Sequence, residues 1–98
     1  MARVTVRLPR LLAGLIDGVT AVTVEAATVE GALGELTRRH PPLAVHLFDE
    51  SGDLRRHVLC FHNEENTRWR GSLEAPLQPG DEITIIQAVS GGAQGDRP

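Results

Sequence analysis

The chain has 98 residues, one cysteine and a net charge of −3, and 41% of it is hydrophobic but only 3% aromatic. That length sustains a single domain, whose core must be built from Val, Leu, Ile and Ala, and one cysteine excludes an internal disulfide or a four-thiolate metal site made by this chain alone. Charges of both signs are dispersed, leaving no basic footprint for nucleic acid, and no run approaches a secretory leader or the ~18 apolar residues of a membrane span, so the expectation is a cytoplasmic protein with no nucleic-acid and no membrane partner.

Residues 3–8, RVTVRL, alternate Val4, Val6 and Leu8 with Arg3, Thr5 and Arg7, the period of a half-buried strand, and Pro9 closes it. Gly14, Asp17 and Gly18 mark residues 10–18 as a connection. VTAVTVE (19–25) is again β-branched, with Val22 and Val24 on one face, so the two strands predict a hairpin. In TVEGALGELTRRH (28–40) the period becomes helical: Val29, Leu33 and Leu36 recur with Ala32 beside them. Thr28 is placed as the N-cap, Glu30 sits in the first turn, Arg38, Arg39 and His40 fill the last, and Pro41-Pro42 ends it. Gly31 and Gly34 each weaken this helix by ~1 kcal/mol relative to Ala, so packing against a sheet must hold it. Residues 43–56 read as a short helical turn and a polar loop around Ser51-Gly52-Asp53. HVLCFH (57–62) is the third strand, NEEN (63–66) a tight turn toward Thr67-Arg68-Trp69, GSLEAPLQPGD (71–81) irregular, and EITIIQAV (82–89) the last strand.

This order predicts an α+β fold, a mixed sheet of four to five strands with one main helix on one face and the last strand parallel to the first in the middle. That is the β-grasp, or ubiquitin-like, arrangement, here a domain over residues 1–90 followed by a flexible C-terminal tail, 91–98. Alternation points Val58, Cys60, Ile83 and Ile85 toward the helix and Leu59, Phe61, Thr84 and Ile86 away from it. Leu59, Phe61 and Ile86, fringed by Arg3 and Arg7, then form a partner-binding surface on the open face.

The most informative feature is Gly91-Gly92 just after that strand. A terminal carboxylate offered to an enzyme must travel a narrow channel, which glycine passes because it has no Cβ. Joined to AMP, such a carboxylate becomes an acyl donor that a sulfur nucleophile can attack, leaving a thiocarboxylate. VTVRLP near the start, VLCFHNEENTRW in the middle and GDEITIIQAVSGG near the end resemble the ThiS/MoaD family of sulfur carriers, and within it the CysO-like carriers. The likeness spans about residues 3–92; its most specific parts are the Asn63-Glu64-Glu65 turn ahead of Arg68 and the block from Asp81 to Gly92. The resemblance implies that Gly92 is adenylated by an E1-like adenylating and sulfur-transferring enzyme using ATP, then thiocarboxylated, with Gly91 as its slender neighbour. The chain itself would bind no cofactor, and its sulfide would go to a synthase, a cysteine synthase-like enzyme ahead of the molybdopterin and thiamin routes.

Two departures from the family pattern matter. Gln87 stands where the nearest relatives often have Pro, and Ala93-Gln94-Gly95-Asp96-Arg97-Pro98 follow the second glycine. An internal Gly92 carbonyl is an amide and cannot be adenylated, so the resemblance implies cleavage between Gly92 and Ala93 by a JAMM-type metalloprotease. All ten basic residues are Arg; codon usage in a GC-rich genome explains this, and a Lys-free surface would also spare an activated terminus from internal amines.

The remaining residues suggest no chemistry of their own. Cys60, mid-strand between Leu59 and Phe61, reads as a small buried hydrophobe. His40, His46, His57 and His62 lack metal-ligand spacing, and the acids Asp49, Glu50 and Asp53, like Glu64 and Glu65, read as solvated turns. With no catalytic constellation and no phosphate loop, the expectation is a protein cosubstrate rather than an enzyme, without metal or catalytic residues. Two other functions fit the same residues: a ubiquitin-like modifier conjugated through Gly92, and a non-covalent β-grasp interaction module.

Overall fold

A computed structural model describes residues 1–67 and 72–87. Arg68, Trp69, the end of the last strand expected at 88–89, the domain boundary at 90 and the tail with Gly91, Gly92 and Ala93 lie outside the described residues.

The hairpin forms as its alternation demands. Strands β1 (Ala2–Arg7) and β2 (Ala21–Ala26) pair antiparallel with Val4 opposite Val24 and Val6 opposite Val22, all four buried. Their connection is more ordered than its glycines suggest. It holds a one-turn helix α1 (Arg10–Ala13) and a 3-10 turn (Gly14–Ile16), which bury Leu12, Ala13 and Ile16 against the core. The punctuation acts only at the exit, where Asp17 and Gly18 take positive φ. A single helical turn is too short for periodicity to reveal it.

Helix α2 (Val29–Arg39) buries Val29, Ala32, Leu33 and Leu36. Thr28 caps it as expected, extended in backbone, its Oγ1 accepting from the Gly31 N–H at 3.1 Å. After a 3-10 turn (Pro41–Leu43), α3 (Ala44–Leu47) supplies the short helical turn, with Leu43 and Leu47 fully buried. Strand β3 (Val58–His62) follows the polar loop. The turn expected over 63–66 is tighter than that: Asn63 adopts φ 57, and Glu65–Asn66 already return as β4, Asn66 opposite Phe61. Asn tolerates the left-handed region that reverses the chain within two residues.

Strand β5 (Glu82–Gln87) completes one five-stranded sheet of order β2-β1-β5-β3-β4. It runs parallel to β1, with Val6 beside Ile83, and antiparallel to β3, with Cys60 beside Ile85. The sheet is therefore mixed, with the last strand central, as the element order requires. Strand β2 is an edge, and Arg39 reaches from the end of α2 to donate through Nη1 to the Thr23 carbonyl at 2.7 Å, occupying an acceptor that a foreign strand would use. Among the described residues no helix is long and apolar enough to cross a membrane.

The two helix glycines differ in their surroundings. A Cβ at Gly31 would lie 3.3 Å from the capping Oγ1 of Thr28 and 3.5 Å from the Ala26 Cβ, whereas one at Gly34 would meet nothing within 4 Å. Gly34→Ala should thus raise stability by about 0.5–1 kcal/mol, while Gly31→Ala should gain less because it crowds the cap. Urea unfolding of the two variants measures the difference.

Candidate functional site at the end of the central strand

Strand β5 ends at Gln87, four positions before Gly91 in the sequence, so the way it is held sets where the chain toward that segment begins. Its Ile83 and Ile85 are buried on the α2 side, β3 pairs with it over Ile83–Gln87, and β1 pairs with it over Glu82–Thr84. Its entry is fastened by a polar knot around Asp81. The Asp81 carboxylate accepts from the Gln78 N–H at 2.9 Å and from Asn63 Nδ2 at 3.3 Å, and one oxygen lies 2.8 Å from His62 Nε2. Asn63 continues the ladder: its Oδ1 accepts from the Glu82 N–H at 2.9 Å and its own N–H donates to the Glu82 carbonyl at 2.7 Å. The hydrogen bond with His62, then that from Gln78, holds the Asp81 carboxyl below its usual range.

None of this was visible in the sequence, where His62 reads as a strand end and Asp81 as a turn residue. The available signal was the Pro79-Gly80-Asp81 turn: its acid faces back along the sheet because Gly80 takes φ 88 and its N–H donates to the Arg3 carbonyl at 3.1 Å.

The open face carries the expected side chains, but not as a single group. Leu59 is the register partner of Ile86 and Phe61 of Thr84, with Arg7 on the far side of Thr84. Ile86 is exposed at 43%, while Leu59 and Phe61 are half-buried. Arg7 donates to Glu82 at 2.9 Å, which holds the Glu82 carboxyl below its usual range. Arg3 is not part of this cluster. Four residues earlier on β1, about 13 Å away along the strand, it pairs instead with Glu25 at 3.2 Å. The alternation that put Arg3 on the right face carries no information about distance along it.

Cys60 is buried on the α2 side, its side chain 1% exposed. Burial pushes its thiol up to about 11, opposed only by a contact with Thr67, whose hydroxyl donates to the Cys60 carbonyl at 3.0 Å. It is a poor nucleophile. Among the described residues no three His, Cys, Asp or Glu side chains gather into a metal-binding group. The described side chains thus bring together structural networks and a partly apolar face, while the expected sulfur-bearing Gly91 and Gly92 and the cleavage point before Ala93 lie outside them.

The ThiS family pattern matches residues 9–92, so that match extends through both glycines. The sulfur carrier protein CysO of Mycobacterium tuberculosis is 32% identical over 91 residues, covering 91% of this chain and 98% of the relative. In the crystal structure of the Amycolatopsis orientalis BexX/CysO complex, one chain is 35% identical with a TM-score of 0.80, over 91% of this chain and 99% of that one. The crystal structure of the small archaeal modifier protein SAMP1 from Haloferax volcanii superposes with a TM-score of 0.81 at 30% identity, over 93% of this chain and all of that one (100%). These neighbours share the β-grasp architecture described above.

Two outcomes follow from the electrostatics. A thiol at about 11 rather than the usual 9.0 holds about a hundredfold less thiolate near pH 8, so Cys60 should react with a disulfide reagent at least about a hundredfold slower in the native protein than in denaturant. The Asp81 carboxyl is depressed in the folded state, so its contribution is complete above the ordinary value of 3.8 and is lost as pH falls through the lower folded value. Wild type should therefore be more stable than Asp81→Asn at pH 6, and the gap should close as pH drops below about 4, as followed by urea unfolding at each pH.

Proposed function

We propose, from the premise that this chain belongs to the ThiS family, that it is a sulfur carrier made as a precursor. It is cleaved between Gly92 and Ala93, and the freed Gly92 carboxylate attacks the α-phosphorus of ATP on an E1-like enzyme, releasing pyrophosphate. A hydrosulfide then attacks the acyl carbon, AMP leaves as its C–O bond to that carbon breaks, and loss of the S–H proton gives the thiocarboxylate. The chain acts throughout as a protein cosubstrate. A JAMM-type metalloprotease is the proposed trimming enzyme, because a zinc-activated water can hydrolyse the Gly92–Ala93 amide without a covalent intermediate.

The observation that carries this reading is a family match running through Gly92, on a chain whose described part ends in a central strand five positions before that residue in the sequence. Similarity to CysO favours cysteine synthesis as the destination, with a cysteine synthase-like acceptor, and the BexX/CysO complex supports a carrier of this kind docking on an enzyme partner. The likeness to SAMP1 favours one second reading, a modifier conjugated through Gly92 to lysines of other proteins.

Intact mass of the protein recovered from its own cells tests both. A carrier should appear without residues 93–98, in part about 16 Da heavier than the trimmed acid because sulfur replaces oxygen. A modifier should instead leave branched peptides on target lysines. Recovery only at full length, together with a Gly92-terminated chain inert toward ATP and the activating enzyme, overturns the proposal.

A further inference from the structure

Among the described residues the large apolar side chains left exposed are Met1, Leu11, Leu15, Val19, Val45 and Ile86. Met1 aside, they gather at one end of the molecule. Arg7 is level with Thr84 in the parallel ladder, so extending the register brings Ile86 level with Pro9 and Gln87 with Arg10, where α1 begins. That helix carries Leu11, and the 3-10 turn directly after it carries Leu15, both exposed while Leu12, Ala13 and Ile16 between and after them are buried. Val19 lies two residues before Ala21, the hairpin partner of Arg7. On the other flank Val58 faces Gln87. Arg55, three residues earlier, ties α3 to the same end, its N–H donating to the Leu47 carbonyl at 2.9 Å and its Nε to the Val45 carbonyl at 2.7 Å.

This is the end from which the chain departs toward Gly92. Gly92 lies five residue steps beyond Gln87, and at 3.3–3.6 Å per step those span at most about 18 Å. An enzyme that receives the Gly92 carboxyl in its interior must then lie against this end of the fold, because its own body is wider than that reach. Leu11 is 69% exposed, Leu15 and Val19 41% each, and all three are surplus to the core. Exposed Arg10 and Asp17 beside them give the apolar centre a charged margin, the plan of a protein docking surface.

We propose that Leu11, Leu15 and Val19, with Ile86, form a docking rim for the adenylating enzyme, seated on an apolar collar around the mouth of the channel that takes the tail. The proposal rests on the sulfur-carrier reading and adds to it a surface from the β1–β2 connection. Only Ile86 is shared with the open-face cluster.

The test uses the chain ending at Gly92 and the adenylating enzyme of the same organism, with ATP–pyrophosphate exchange measured against carrier concentration. The double substitution Leu11→Asp/Leu15→Asp should raise KM about tenfold or more and leave kcat within about twofold, because it removes docking without altering the reacting terminus. Met1→Asp, at the opposite end, should change neither. Val19→Asp alone repeats the test from a different segment should the double variant unfold, and an unchanged thermal midpoint certifies each fold. Exchange that proceeds with unaltered KM in folded rim variants overturns the rim and leaves the carrier reading standing. Absence of exchange with the unsubstituted chain overturns both.

Discussion

Everything in this molecule depends on β5 lying between β1 and β3. A strand in that position has a neighbour on each side, β3 over Ile83–Gln87 and β1 over Glu82–Thr84, and its Ile83 and Ile85 are buried in the core that α2 also lines. Each fully buried Ile contributes ~1.5–3 kcal/mol of transfer free energy, and each ladder hydrogen bond a further ~0.5–1.5 kcal/mol net. A strand at an edge would peel under a pull on its end, since half of its polar backbone would already face water. Here Glu82–Thr84 lie beside β1 and Ile83–Gln87 beside β3, so the start of β5 is the part held most firmly.

The same placement governs the surface. Side chains on a strand alternate, so once Ile83 and Ile85 face the helix, Glu82, Thr84 and Ile86 are committed to the opposite face. Glu82 there meets Arg7, and Ile86 meets Leu59. The Arg7–Glu82 pair is solvent-exposed and screened by water, so it follows the register rather than setting it. What sets the register is burial on the other side, reinforced where β5 begins by Asp81 and Asn63, which bind β3 and the Gln78–Asp81 turn into one network.

How far the sequence was legible follows from the range of each signal. Period-two alternation in RVTVRL and the helical spacing of Val29, Leu33 and Leu36 placed β1 and α2 to within a residue or two, because each repeats over several residues and reports on one buried face. The central position of β5 could be deduced from the order of elements alone. Signals of one or two residues were not legible: the single turn of α1, the two-residue β4 and the contact of His62 with Asp81, which lie 19 residues apart. Arg3 marks the same limit within the candidate surface, since alternation tells which face a side chain takes but not which neighbours it meets there. The exposed Leu11, Leu15 and Val19 escaped for a related reason: in a segment read as a connection, apolar residues carry no expectation of facing water. The reading of Gly91 and Gly92 rests on chemistry and position in the chain, and both lie outside the described residues.

The position of Cys60 shows why a carrier of this design would hold sulfur on a carbonyl carbon and not on a thiol. A persulfide on the chain's single cysteine would have to form on a side chain 1% exposed, on the strand that pairs with β5 along its length. Loading it would require lifting the packing that covers the inner face of the sheet, and while it stays buried the thiol at about 11 supplies little thiolate. A backbone carboxyl beyond the last strand makes no such demand. On the proposed reading such a carboxyl is inert until it is joined to AMP, and a glycine there has no side chain to desolvate.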